Sequence, residues 1–420
     1  MPSPRRQRGV ATLVVTTLLC FAMILVVGYT NRNLVVEQRA SANQYRATQA
    51  FEAAEAGVEW SLARLNDATR IGADCLPSTD VGAVSFRDRY LRFTGVAGDI
   101  TSATWDDAGA AVPLRAACVR GDAGWSCSCP ATGAPVLSAP DGSATATAFS
   151  VEFAAGPRPG VVRAIATGCT RADSVCTAAI DSGHDAASRV EVAFALVPGL
   201  HSAPAAALTV RGDIDAGTAA LGAHNRDAAL GGLALHAGGR VTASALRLTA
   251  PAGSPLGGAI ASGDTALAGL DGERFFARFF GMDKATWMAQ PAVVRVACAS
   301  DCASVIAAAI AAGSRLIAID GDLSLDGPTI FATPADPVVL VAAGEVRLSG
   351  AVTLHGIVDG ASLAWNDAAA PGALVRGAAL ADGNYTGNGA ADFAHDSAVL
   401  GRLKTRTGSF ARINGSWKDF

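Results

Sequence analysis

From Val10 to Leu65 the chain runs without a proline, and no other feature restricts its fold as much. An interior proline breaks the helical hydrogen-bond ladder, so its absence over this length permits one continuous helix. The first part carries no charge between Arg8 and Arg32. That leaves about 20 apolar or weakly polar residues, Val10 to about Tyr29, a length that matches the hydrocarbon thickness of a bilayer. Arg5, Arg6 and Arg8 lie on the N-terminal flank, which predicts a cytoplasmic N-terminus and a bulk that crosses the membrane. A cleaved secretory signal would need a small-x-small site after a shorter core, and Tyr29-Thr30-Asn31-Arg32 does not supply one. Further along, Ala47, Ala50, Ala54, Val58, Leu62 and Leu65 recur at three- and four-residue spacing, with Glu52, Glu55 and Glu59 as an adjoining acidic stripe. A helix over Val10 to Leu65 would be roughly 84 Å long. No globular core of this size needs such an element, whereas a filament of packed helices does.

The remainder is long enough for two further domains, in a chain of 420 residues. Only 17% of residues are charged and 6% aromatic, with 46 glycines, a composition that suits thinly packed β-structure. A net charge of −4 supplies no excess basic face, so no nucleic acid partner is expected. Of nine cysteines, Cys20 lies inside the apolar run, and the even set outside it reads as disulfides made in an oxidising compartment.

Arg6-Gln7-Arg8-Gly9 before Val10-Ala11-Thr12-Leu13-Val14 resembles the leader and cleavage junction of type IV prepilins. Gln44-Tyr45-Arg46 followed by Ala50-Phe51-Glu52-Ala53-Ala54-Glu55-Ala56-Gly57-Val58-Glu59 resembles the N-terminal domain of the minor pilin PilX family. The resemblance covers about the first 65 residues. It implies a leader over 1–9, a prepilin peptidase that cuts between Gly9 and Val10 and methylates the new amine, and a pilin helix over 10–70. It also implies a protein held in the inner membrane and then assembled with major and other minor pilins into an extracellular pilus. Major pilins carry a glutamate at the fifth mature position, where this chain has Val14. A carboxylate in hydrocarbon is costly unless it meets a cation, and in pilins it is thought to pair with a neighbour's N-terminal amine. Its absence here, with Glu37 the first acid after the junction, suggests a tip or initiating subunit.

Between 71 and 200 the sequence predicts a compact, β-rich, disulfide-bearing domain packed on the exported half of the helix. Its strands are expected at Tyr90 to Phe93, Ala116 to Arg120, Ala148 to Phe153, Val161 to Ala166 and Arg189 to Leu196. Six cysteines fall here: Cys75, Cys118, Cys127, Cys129, Cys169 and Cys176. Cys127-Ser128-Cys129 invites a metal reading, but no second pair or nearby histidine completes a site, so disulfides are favoured. Cys169 with Cys176 is the natural local pair, and the other four allow three connectivities.

Pro198 and Pro204 are expected to bracket a linker to a second unit over 205–420. There, short apolar runs alternate with glycine turns: Leu208 to Ile214, Leu233 to Ala237, Val241 to Leu248, Leu316 to Leu325, Val338 to Ala342, Val346 to Leu348 and Val352 to Val358. This texture suits stacked rungs of a parallel β-helix or similar solenoid, with an antiparallel sandwich as the runner-up. A helical insertion is expected around 273–312, with Cys298 and Cys302 closing a loop before its last helix. Phe275, Phe276, Phe279, Phe280 and Trp287 within it read as core filling under the solenoid end rather than as a partner surface. The tail, with Trp417 and Phe420, could supply a final strand. The expected class is α+β: a long helix, a β-rich domain and a β-solenoid-like domain.

No enzyme is expected, and no cofactor or metal. The six histidines, His184, His201, His224, His236, His355 and His395, are scattered, and no nucleophile elbow, P-loop or dinucleotide fingerprint occurs. Asp320, Asp322 and Asp326 look faintly like a calcium loop, but Leu323 and Leu325 fall where ligands would be needed, so turn-serving aspartates are the better reading. Asp213 and Asp215 are the nearest approach to the paired acids of a glycosidase. Two roles remain, an assembly subunit of a type IV pilus, or an adhesin on the pilus whose solenoid grips a surface ligand. A tip adhesin would be a further partner. A type II secretion pseudopilin ranks lower, because its large exported domain would be mainly helical.

Overall fold

The computed structural model describes residues 9–95, 97–138, 146–171, 176, 186–218, 220–298, 302–368 and 372–419. Residues 1–8 of the leader, His184, Asp301 and Phe420 lie outside them. A single helix spans Gly9–Asn66, 58 residues, about 87 Å at 1.5 Å per residue. Among the described residues, nothing buries the most apolar stretch of its first half. Its second half docks on an antiparallel sheet, whose strand order is Gly408–Arg412, Ala187–Pro198, Val161–Cys169, Ala148–Ala155, Arg115–Gly121, Gly124–Ser128. In the strands foreseen from 148 and from 189, the alternation is the burial pattern: Phe149, Val151 and Phe153, with Val190, Val192 and Phe194, face Ala54, Val58 and Leu65 of the helix. Gly124–Ser128 was not foreseen, and of the strand expected at Tyr90 to Phe93, Tyr90 ends the helix Phe86–Tyr90 while Leu91–Thr94 pairs with Asp99–Ser102 outside this sheet. Ala50, Ala53, Ala54, Gly57 and Ser61 are also buried, while Ala47 is exposed.

Gly168 explains the run of small helix residues. A Cβ there would lie 2.0 Å from the Ala50 carbonyl oxygen and 2.4 Å from the Ala54 amide nitrogen. Strand and helix backbones therefore meet directly, which only glycine permits.

The second unit consists of two parallel sheets, of twelve and six strands among the described residues. Each rung places a strand in the large sheet, one in the small sheet, and returns to the large one: Leu316–Ile319, Leu323–Asp326 and Thr329–Phe331 make one such turn. Successive rungs pair in parallel register, as in Leu316↔Val339, Leu323↔Val346 and Thr329↔Val352. Pairing is parallel throughout this unit, which excludes the antiparallel sandwich. The strands Val352–Gly360 and Leu374–Ala381 bend round a corner at Gly356 (φ 146) and Gly377 (φ 136). These two glycines pair with each other, and a Cβ on either would lie 1.9 Å from a neighbouring rung's carbonyl oxygen. Inside, leucine, isoleucine and valine of successive rungs stack with Phe331, Trp365, Tyr385 and Phe393. Several elements of this unit were not foreseen from the sequence, among them Ala220–His224, Leu363–Asn366, Leu374–Ala381, Tyr385–Gly387, Asp392–His395 and the strand Val293–Val296 inside the expected helical insertion.

Three expectations change. The order of rungs in space is not their order in sequence: Leu208–Val210 pairs with Leu374–Ala381 on one side and Leu235–Ala237 on the other. The chain thus enters mid-stack, winds outward to Ile260–Ala261, crosses through helices, and winds back from Val293–Val296 to its entry point. Secondly, Pro198 to Pro204 is no loose linker. Leu200 is fully buried, Gly199 N–H donates to Thr407 O at 2.9 Å, and the Trp287 indole donates to Gly199 O at 2.9 Å. Thirdly, the tail does supply strands, as expected, but to the first sheet rather than to the solenoid. Gly408–Arg412 and Lys418–Asp419 pair with Ala187–Pro198 in the first sheet. Asn66 clamps Phe410 by two hydrogen bonds, Glu59 pairs with Arg412, and the Trp417 ring lies 6.3 Å from Phe51. The solenoid is therefore an insertion between two neighbouring strands of the first sheet, Ala187–Pro198 and Gly408–Arg412, and the last part of the span drawn as 205–420 belongs to that sheet.

Helices Gly272–Phe280, Lys284–Met288 and Ser397–Arg406 cover the outer side of the large sheet. Asp271 caps the first by accepting from the Arg274 amide. Phe275, Phe276, Phe279, Phe280 and Trp287 are buried against Val339, Val341, Ile357 and Leu380, on the flank of the stack rather than under its end. Helix Cys302–Ala311 lies against the terminal rung, with Ile306 in the solenoid core.

Candidate functional site

The most exposed apolar surface of the molecule is the free half of the long helix. Val10, Leu13, Val14, Leu18, Phe21, Ile24, Leu25 and Tyr29 are half to two-thirds exposed, and no part of the most apolar stretch is buried. By length and composition this helix could cross a membrane. Its polar side chains are neutralised from within. The hydroxyls of Thr12, Thr16, Thr17 and Thr30 donate to carbonyl oxygens three or four residues earlier, Thr17 to Leu13 O at 2.7 Å and Thr30 to Val26 O at 2.5 Å. Threonine hydroxyls returned to the helix's own carbonyls in this way suit a hydrocarbon surrounding. In sequence these threonines are only weakly polar residues of the run; that a threonine in a helix can bond the carbonyl three or four residues earlier was the available signal. Gly9 is the first helical residue, Val10 follows it at 61% exposure, and Val14 is 50% exposed with no carboxylate beside it before Glu37.

The structure pairs Cys75 with Cys129, Cys118 with Cys127, Cys169 with Cys176 and Cys298 with Cys302, leaving Cys20 free and exposed in the helix. Cys118 and Cys127 are cross-strand partners in register, so the hairpin itself selects among the three connectivities. Cys127 and Cys129 go to different partners and do not form a pair of ligands.

A buried charge cluster on the solenoid flank had no sequence signature. Lys284 Nζ lies 2.8 Å from Asp359 Oδ2 and 3.2 Å from Asp382 Oδ2, under the Phe276 ring at 5.1 Å. Asp359 is fully buried, and apart from this ion pair neither of its oxygens has a hydrogen-bond partner. Burial pushes its carboxyl up to about 7, with Lys284 pulling the other way. Burial likewise raises Asp382, against the pull of Lys284 and Arg211. Burial draws Lys284 down, but the two carboxylates outweigh it and leave the amine raised. Such an arrangement fastens the helix Lys284–Met288 to two adjacent rungs.

The other candidates resolve into turn and rung chemistry. Asp213 accepts from Arg240 N–H and Asp215 from Gly217 N–H. Asp322 accepts from Glu345 N–H and pairs with Arg347 at 3.0 Å, while Asp320 pairs with Arg295. His224 lies between Thr249 Oγ1 (2.9 Å) and Asp392 Oδ1 (3.1 Å), and Arg247 also binds Asp392, so this row ties three neighbouring rungs together. His236 bonds Asp264 at 2.8 Å, and that bond, with the amides of Leu267 and Ala266, holds the Asp264 carboxyl below its usual range. His201 packs against Gly281, His395 bonds Pro204 O, and burial lowers His355 and His395. Among the described residues, no three of His, Cys, Asp and Glu are grouped so as to hold a metal ion.

Residues 8–59 match the family model described as PilX N-terminal. The match covers the helix up to Glu59 and none of the β-structure. No curated protein matches the chain. Among solved structures, the competence-associated pilin ComZ from Thermus thermophilus aligns over 89% of this chain and 98% of its own, at 10% identity and a TM-score of 0.21.

Proposed function

We propose, on the premise that the first helix is a PilX N-terminal segment of a type IV pilin-family protein, that this chain is a minor pilin acting in pilus assembly. The observation that carries the reading is the helix itself: an apolar half that no described residue buries, continuous with a half that is locked to a folded domain. A subunit built this way rests in the inner membrane, N-terminus cytoplasmic, then transfers the same surface to a bundle of neighbouring pilin helices. Prepilin peptidase would cut between Gly9 and Val10 and methylate the amine. Val14 cannot make the carboxylate–amine bond between neighbours, which favours a tip or initiating position. The second reading, an adhesin, draws on the inserted solenoid, a large rigid body carried outside the helical bundle. Nothing in either role calls for catalysis.

Excising residues 199–407 tests both. Gly199 and Thr407 are hydrogen-bonded neighbours, so a short glycine turn can join Pro198 to Gly408 without moving the first sheet. The assembly reading expects the shortened protein to restore piliation in a deletion strain, and an accompanying loss of surface attachment would assign adhesion to the insertion. Failure of a folded, membrane-inserted short form to restore pili would contradict the assembly reading as drawn.

A further inference from the structure

Where the inserted solenoid meets the first domain, a cleft of about 520 Å³ opens beside Leu65. That volume is in the range of ligand sites and far exceeds one small ion. Six arginines and three aspartates line it, in a chain whose net charge is −4. The three aspartates are already engaged: Asp336 with Arg315, Asp67 with Arg64, and Asp88 with the Ser85 hydroxyl. Of the six arginines, only Arg315 has a carboxylate partner among the described residues. Arg92 donates to the main-chain oxygens of Asp88 and Leu91, and Arg402 to Pro334 O. Arg87 is sandwiched between Phe93 (4.7 Å) and Phe410 (5.0 Å) and donates to the main-chain oxygens of Gly408 and Arg406. Burial pushes Arg87 down to about 10, with the Asp88 charge pulling the other way.

We propose that this cleft binds an acidic peptide segment of a partner protein. Arg70 and Arg92 on the wall of the first domain, with Arg402 and Arg406 on the opposite wall, hold its carboxylates, and Phe93 and Ala292 receive its apolar side chains. Guanidinium forks match carboxylates with two parallel hydrogen bonds each. Cationic groups on both walls with apolar surface between them suit an extended segment bearing several carboxylates. Lipid headgroups are out of reach, because about 54 Å of helix separates Leu65 from Tyr29, where the apolar run ends.

The test uses the full chain in detergent and a short fluorescent peptide alternating glutamate with leucine, followed by anisotropy. Binding that weakens with salt is expected, with none for the glutamine analogue. Arg92→Glu with Arg406→Glu should weaken binding at least about tenfold. Both side chains are exposed and without a side-chain partner, so the thermal midpoint should hold; if it falls, the Gln pair at the same positions serves, with a smaller loss expected. Equal binding of the glutamine peptide, or undiminished binding by the folded variant, overturns the proposal. Displacement by inorganic phosphate at matched ionic strength also overturns it, by making the cleft a site for free anions.

Discussion

Lys284→Met is expected to destabilise the protein by about 3–5 kcal/mol at about pH 8, and by clearly less at about pH 5. Removing one partner of a buried pair leaves the other charge without compensation, and Asp359 has no second donor to turn to. The pH dependence follows from the direction of the Asp359 shift. Its folded carboxyl, raised by burial from 3.8 to about 7, keeps a proton that the unfolded chain has released in that window. This group's contribution is therefore complete below pH 3.8 and is lost as the pH climbs to about 7. At the acid end Asp359 is already neutral and Lys284 has less to compensate; at the alkaline end the variant must bury a bare carboxylate or hold a proton against the solvent. Urea unfolding of the full chain in detergent at both pH values reads the difference. Asp359→Leu added to Lys284→Met should recover most of the loss, since the site is walled by Phe276 and the apolar flank of the sheet. Equal losses at both pH values would show that the cluster does not behave as a buried ion pair.

Gly168→Val should cost about 3 kcal/mol or more and free the long helix from its sheet. The added Cβ would meet the Ala50 oxygen at 2.0 Å and the Ala54 nitrogen at 2.4 Å, both backbone atoms of a helix that cannot yield without unwinding. Gly57→Ala makes the control. Its Cβ meets the Phe149 ring at 3.0 Å and the Ala166 Cβ at 3.3 Å, tight contacts but with side chains rather than backbone, and alanine favours the helix. Thermal unfolding with limited proteolysis near Arg46 and Arg64 separates the two: early cleavage is expected for Gly168→Val alone. A Gly168→Val protein with wild-type protection would mean that the helix is not seated as described.

The long helix was legible because its signal is local: no proline, a three-and-four spacing, and charges excluded from one end. What the spacing missed were Ala53, Gly57 and Ser61: Ala53 is met by Gly168 and Gly57 by Phe149 and Ala166, all from strands more than ninety positions away, and Ser61 is buried on the same docked half. Strands with one wet face were visible through alternation. Leu374–Ala381 was not, because the core lies on one side and helices on the other, so nearly every residue is buried and no period of two survives. The stacking of Leu208–Val210 on Leu374–Ala381, and with it the return of the tail to the first sheet, depends on pairings remote in sequence that no window records. The same distance hid Lys284 from Asp359 and Asp382, and the arginines of the cleft from one another. Asp322, read from the sequence as a turn-serving aspartate, does accept a backbone amide of the next rung, and Asp213 and Asp215 are engaged in the same way.

The central claim is that the exposed half of the Gly9–Asn66 helix exists to be trimmed and packed among similar helices. Mass spectrometry of the protein recovered from sheared filaments tests it most directly. An N-terminal peptide beginning at Val10 with a methylated amine is the expected result; a protein that retains Met1, or begins anywhere other than Val10, would contradict the account.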